Sequence, residues 1–320
     1  MPLKLQRIGG EPLLAPGKET WQNQQVFNAA AVPFKGQTAL VYRAQGEDRI
    51  SRLGLALLDD GKTVSYRSVD PIFSPDPANM YEAMGVEDPR IVQLNDQYYM
   101  TYTAASYYPD VRQETYEPTD ETRPLWRVRV SLASTQDFES FNRYGVVIEH
   151  IDSKDGVLFP KKFNEHYILI HRVLPDMRLA VSHDLEHYSE RGPFLTPRQG
   201  KFDELRVGAG APPIETPYGW LLFYHGADAE NHYHLGIALA DREDPAQIIL
   251  RSEEPILSPE KEYEQSGMVN NVVFTCGAID RGDQYYVYYA AADQTIWLAT
   301  IAKGDVFDWI EGQLQVNHIN

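Results

Sequence analysis

Along the chain, hydrophobic and polar positions fall into one phrase that occurs five times. TALVYRAQ (38–45), YYMTYTAA (98–105), YILIHRV (167–173), WLLFYHGAD (220–228) and YYVYYAAAD (285–293) are aromatic or β-branched runs ending in a small or charged residue. Each is followed by a second run, respectively SRLGLALLDDG, VRVSLASTQDF, MRLAVSHDLEHY, YHLGIALADREDP and TIWLATI. The first four second runs reach an aspartate just after small-residue strand text, as a strand giving way to a turn should. Tyr42, Tyr102, His171, Tyr224 and Tyr289 mark equivalent points 53 to 69 residues apart. That interval fits four short strands with their loops, and hardly any run sustains a 3.6-residue period. Repeated four-stranded units predict an all-β protein, a five-bladed β-propeller. A β-sandwich would not explain five copies of one strand pair. Pro- and Gly-containing stretches fall between the expected blades, so residues 1–320 read as a single domain.

In a propeller the inner strands line a central channel, and polar residues at their ends converge on it. The residues that end or adjoin the first strand of each pair are therefore candidates for a site. They are Arg43, His171, Arg172, His225 and Asp293, with Asp88 and Arg90 just ahead of the second copy.

Composition narrows the possibilities. A formal charge of −17 argues against nucleic acid, which requires a basic footprint. The 20 tyrosines and 5 tryptophans suit strands and sugar-stacking surfaces. Cys276 is the one cysteine, which rules out an internal disulfide; it lies in the apolar run NVVFTCGAI and reads as buried filler. The N-terminal segment lacks an apolar signal region, and no stretch approaches the roughly 18 apolar residues of a membrane span. The expectation is a cytoplasmic protein with no membrane partner.

Several cations stand out against this acidic background. Arg129, Lys161, Lys162, Arg172, Arg206 and His225 all adjoin strand text. If the repeats form a propeller, several of them face one opening, where they need an anionic ligand or repel one another. The alternative is solvated cations paired with surface acids, and spacing alone does not decide. The nine histidines show no metal-ligand spacing; His232 and His234 flank Tyr233 and read as a solvated face, so no metal is expected. GAGAPP lacks the lysine and hydroxyl residue of a P-loop, and no GxSxG elbow occurs.

The stretches FNAAAVPFKGQTALVYRAQ, GVEDPRIV, LFPKKF, VGAGAPPIET and YYVYYAAAD, in this order, resemble glycoside hydrolase family 130. That family holds β-mannoside phosphorylases and a smaller set of β-mannosidases, on a five-bladed propeller. The resemblance implies inverting phosphorolysis of a β-mannoside, giving α-mannose 1-phosphate and a shortened acceptor. Inorganic phosphate is the co-substrate and no cofactor is implied. Asp88 of the EDPR motif would be the general acid, acting through the 3-hydroxyl of the sugar. Phosphate arrives ionised, so one carboxylate suffices where an inverting hydrolase needs two.

The same resemblance places Asn28, Arg43, Arg49, Arg52 and Asp293 at the mannosyl unit. Glu87 and Arg90 would position the acid and the sugar, on a turn fixed by Pro89. Arg129, Lys162, Arg172, Arg206 and His225, with Tyr233 nearby, would hold phosphate. Two departures from the family pattern are Arg206 for a lysine and His234 for an arginine. A hydrolase of the family is the runner-up, since hydrolytic members lack much of this basic set. A non-catalytic sugar-binding propeller comes last. Acceptor and linkage preference are assigned to loops such as 106–126, and family members are often homo-oligomers.

Overall fold

The computed structural model describes residues 3–108 and 126–319. Five antiparallel sheets are arranged as a five-bladed β-propeller. Blade one is β2 (Gln25–Phe34), β3 (Gln37–Gln45), β4 (Arg52–Leu58) and β5 (Val64–Arg67). Blade two is β6 (Gly85–Leu94), β7 (Gln97–Tyr107), β8 (Trp126–Thr135) and β9 (Asn142–Val146). Blade three is β10 (Lys154–Leu158), β11 (Tyr167–Val173), β12 (Asp176–Ser182) and β13 (Ser189–Leu195). Blade four is β14 (Arg206–Ala209), β16 (Gly219–Ala227), β17 (Tyr233–Ala240) and β18 (Ile248–Arg251), with β15 (Ile214–Thr216) also paired to β16. Blade five runs β19 (Val273–Arg281), β20 (Gln284–Ala291) and β21 (Thr295–Ala302), and takes its fourth strand, β1 (Gln6–Ile8), from the start of the chain.

The sequence phrase maps onto this architecture with one correction. The aromatic runs are the second strands of their blades, not the channel-lining ones. About the axis the first strands β2, β6, β10 and β14 contact one another in turn, and β19 packs on β2 and, across blade four, on β16 and β17. They carry smaller and more polar residues because the space there is narrow. The expected turns do form. Asp137, Asp184 and Asp241 each accept backbone N–H bonds from the residues two and three positions on, an Asx turn closing blades two, three and four. The β2–β3 hairpin turns at Lys35 and Gly36, both at positive φ, as a two-residue type I′ turn requires.

Alternation along each strand buries one face against each neighbouring blade. An apolar core fills every gap, from Val41 and Tyr102 between blades one and two to Tyr42 and Tyr288 between blades five and one. Cys276 is such a filler: it is fully buried in β19, and burial pushes its thiol well above the usual range. Two helices complete the described residues, α1 (Glu262–Gln265) and α2 (Lys303–Ile319). Neither is long and apolar enough to cross a membrane.

Candidate active site

Three first strands break register at the same place. The ladder slips between Phe27 and Ala30 in β2, between Glu87 and Arg90 in β6, and between Lys154 and Val157 in β10. At each slip one residue adopts a left-handed backbone: Asn28 (φ 50°), Asp88 (φ 48°) and Asp155 (φ 55°). Asn and Asp tolerate that conformation better than other side chains with a Cβ. A bulge re-aims its side chain, which is why bulges gather at functional sites. Here three blades turn a short polar side chain into the same buried region.

Asp88 lies at the centre of the first group. Asn28 Nδ2 donates to its Oδ1 at 2.8 Å, and Arg43 Nη1 donates to the same oxygen at 3.1 Å. Arg43 also reaches Glu87 Oε1 at 2.6 Å and Ser51 Oγ at 2.9 Å, lying over the Phe27 ring. Burial raises the Asp88 carboxyl, but the charges of Arg43, Arg90 and Lys154 and the Asn28 bond outweigh it, leaving the group below its ordinary range. Glu87 moves the other way, raised by burial and by the charge of Asp88 against the pull of Arg43. Asp293 follows Ala292 in two consecutive left-handed residues. Its carboxyl is pushed up to about 6 by burial, with Arg43 opposing and Asp88 adding to the rise. Lys154 acts on all three carboxyls.

A second group forms where blades three, four and five meet. Arg172 Nη1 lies 3.1 Å from Asp155 Oδ2 and 3.2 Å from His225 Nε2. His225 stacks on Tyr233 with ring centroids 5.8 Å apart, and the Arg206 guanidinium sits 5.4 Å from the Tyr233 ring. Gly208 makes this approach possible, since a Cβ there would come within 2.3 Å of His225 Nε2. Burial pushes the His225 imidazole down to about 4 against the pull of Asp155, so at neutral pH it is an uncharged donor and acceptor. Arg206 Nε and His225 Nδ1 are buried with no hydrogen-bond partner. Buried polar atoms are rarely left so, and unpaired donors beside a guanidinium suit an anion.

A sequence model of the family described as beta-1,4-mannooligosaccharide phosphorylase matches residues 13–312. The chain belongs to glycoside hydrolase family 130. With relatives named as mannoside phosphorylases, it is an enzyme of the phosphorylase type. It is 39% identical over 313 residues to a 1,2-beta-oligomannan phosphorylase of Thermoanaerobacter sp., covering 95% of this chain and 99% of that one. A beta-1,2-mannobiose phosphorylase from the same organism is 35% identical, at 95% and 99% coverage. Among solved structures, a beta-1,2-mannobiose phosphorylase from Listeria innocua in complex with beta-1,2-mannobiose superposes with a TM-score of 0.83 at 26% identity, covering 97% of this chain and 99% of that one.

Not every position matched to family 130 reaches the site. Asn28, Arg43, Glu87, Asp88 and Asp293 are brought together, as are Arg172, Arg206, His225 and Tyr233. Arg90 is not free to touch a sugar. It is 1% exposed, and its donors go to the carbonyls of Gly210, Asp88 and Ala209 and to Asp155. Lys162 lies at the wrong end of blade three. Arg172 pairs with Lys154 at one end of the β10–β11 ladder, whereas Lys162 follows the other end and packs 4.4 Å from the Tyr167 ring. Arg129 sits at the site end of blade two but is engaged by Glu149 O, Val128 O and Asp152. Arg49 and Arg52 belong to the β3–β4 hairpin on the rim beside Arg43; Arg49 is exposed and Arg52 is held by Asp48 at 2.7 Å.

His171 also departs from expectation. It points away from Arg172, between Ser153 Oγ and Glu190 Oε1, each at 2.7 Å. His234 is no solvated residue: Asp228 at 3.1 Å and Ser258 at 3.0 Å take both its ring nitrogens. Most of the 106–126 loop lies outside the described residues. Two residues that sequence reasoning missed, Lys154 and Asp155, sit between the groups.

Proposed function

We propose that the protein is an inverting β-mannoside phosphorylase acting on 1,2-linked mannosides. The observation that carries this reading is the Arg172–His225–Tyr233–Arg206 group, with Arg172 and His225 buried, Tyr233 and Arg206 half-buried, and donors left unpaired. Removing phosphate from water costs several kcal/mol unless donors replace its hydration. Charged hydrogen bonds of about 1.5–3 kcal/mol each offset that cost when several converge. The 1,2 linkage is supported by what the similar Thermoanaerobacter and Listeria proteins are named for.

In the proposed reaction the mannosyl unit lies over Asn28, Arg43 and Asp293, with the anion held by Arg172 and Arg206. A phosphate oxygen attacks C1 on the face opposite the leaving group. The C1–O bond breaks, and the departing oxygen takes the proton of the sugar 3-hydroxyl, which Asp88 replaces. Asp88 is ionised in the free enzyme because cations surround it; a bound phosphate dianion offsets those cations and raises its proton affinity, so it takes up from solvent the proton that it later supplies. Phosphate binding thus prepares the acid.

The test is product analysis on β-1,2-mannobiose with and without phosphate. α-Mannose 1-phosphate should accumulate quickly in its presence, with slow cleavage in its absence. Free mannose released at equal rates in both would make the protein a hydrolase. Faster cleavage of β-1,4-mannobiose would overturn the linkage.

A further inference from the structure

Between the acid and the anion group stands a carboxylate with no place in the reaction so far. Asp155 is fully buried. Its Oδ1 lies 3.3 Å from Arg90 Nη2, and its Oδ2 lies 3.1 Å from Arg172 Nη1 and 3.4 Å from His225 Nε2. Arg90 in turn clamps the carbonyl of Asp88 at 3.0 Å and those of Ala209 and Gly210 at 3.0 and 3.2 Å. One continuous chain therefore runs Asp88, Arg90, Asp155, Arg172 and His225, across blades two, three and four.

We propose that Asp155 is a positioning residue of the reaction, joining the acid to the anion site through its two arginines. The proposal rests on the phosphorylase reading above. Two guanidiniums this close repel unless an anion separates them, and a buried cation without a partner is costly. A carboxylate gives each arginine its own oxygen. It fixes Arg172 by one edge and leaves its other donors for a ligand. Burial opposes the charge, yet Arg172, Arg90 and His225 hold the carboxyl well below its usual range, so it stays ionised. A merely structural ion pair would not need to touch two residues of the anion group as well as the clamp on the acid.

Asp155→Asn keeps the size and tolerates φ 55°, but turns an amide donor toward Arg172 or Arg90. Phosphate binding, measured by calorimetry with inorganic phosphate alone, should weaken about 10–100-fold. Affinity for β-1,2-mannobiose should change less than about threefold, because Asn28, Arg43 and Asp293 are untouched. Arg90→Lys keeps the charge but cannot span three carbonyls. It should lower kcat by about tenfold or more while leaving the phosphate KM near that of the wild type. In an Arg172→Lys background, Asp155→Asn should cost much less than it does alone.

Equal loss of both ligands, unchanged phosphate affinity, or full additivity with Arg172→Lys would each overturn the proposal. If Asp155→Asn fails to fold, Arg172→Lys alone decides: a phosphate-selective loss supports it and an equal loss of mannobiose binding overturns it. A wild type that binds no phosphate and makes no mannose 1-phosphate refutes the phosphorylase reading and this inference with it. A phosphorolytic wild type with an unaltered Asp155→Asn variant refutes the inference alone.

Discussion

Asn28 and Asp88 occupy the same bulge position in neighbouring blades, and the carboxamide of one donates to the carboxylate of the other at 2.8 Å. A repeated backbone irregularity thus builds the acid and its support from two blades at once. Arg43 completes the arrangement by bonding both Asp88 and Glu87. The carboxylate of Asp88 is held in place before any sugar arrives.

Replacing Asp88 with Asn should preserve the fold, since Asn accepts the left-handed backbone there. The transferable proton is lost. General acid assistance is worth about 10²–10⁴-fold, so turnover on mannobiose should fall by that order while circular dichroism is unchanged. Near-native turnover would remove Asp88 from the acid role.

The contrast between two basic residues tests the anion site. Arg206→Ala should raise the phosphate KM about 10–100-fold and leave the mannoside KM within about threefold. Lys162→Ala should change neither, because Lys162 lies beyond the far end of the β10–β11 ladder. Steady-state kinetics with each substrate varied gives the answer. A phosphate defect in Lys162→Ala would show the site to be elsewhere.

Asp293 carries a stability signature. Its folded carboxyl is pushed up to about 6, above the ordinary value of 3.8, so the ionised form destabilises the fold. That penalty is absent below the ordinary value, develops as pH rises through the window between the two, and is complete above 6. Asp293→Asn should therefore stabilise the protein at pH 7 by about 1–3 kcal/mol, with the gain vanishing toward pH 4. Urea unfolding across that range measures it; a gain independent of pH would point to another cause.

Gly208→Ala probes the close approach at the anion site. The new Cβ would meet His225 Nε2 at 2.3 Å and Asp155 Oδ2 at 2.6 Å. Overpacking of this kind costs about 1–3 kcal/mol, and here the strain falls on the Arg172–His225 contact. Lowered thermal stability together with weaker phosphate binding is expected. A neutral outcome would mean that this contact is slack.

The five aromatic runs were legible because second strands are buried on both faces, which demands large apolar residues. Their innermost partners were not. RVGA and KDGVL are short, and the bulges break the alternation by which a strand is recognised. Asp155 escaped notice for that reason. A signal was present, however: Phe-Asn-Ala at 27–29, Glu-Asp-Pro at 87–89 and Lys-Asp-Gly at 154–156 place a left-handed-tolerant residue before a small or rigid one, ahead of each aromatic strand. Lys162 is assigned by its match to FPKK, and text alone does not show that it follows the end of β10 remote from Arg172. For Arg90, sequence cannot show that its donors are spent on backbone carbonyls, the Asp88 carbonyl among them, which leaves it to hold the acid and not the sugar.

The β1 strand gives the ring its seam. Gln6 pairs with Thr300 and Ile8 with Leu298, so β1 docks only after β21 exists. Closing so long a loop carries an entropic cost, opposed by the three strand residues, by Leu5 N–H bonding Ile256 O, and by Arg7 held by Glu264 and Ser258 O. Until β21 is made β1 has no partner, and without β1 blade five ends in the unpaired edge of β21. A protein lacking residues 3–8 would keep every residue of the site and the packing of β19 on β2, yet offer the β21 edge to any strand able to pair with it.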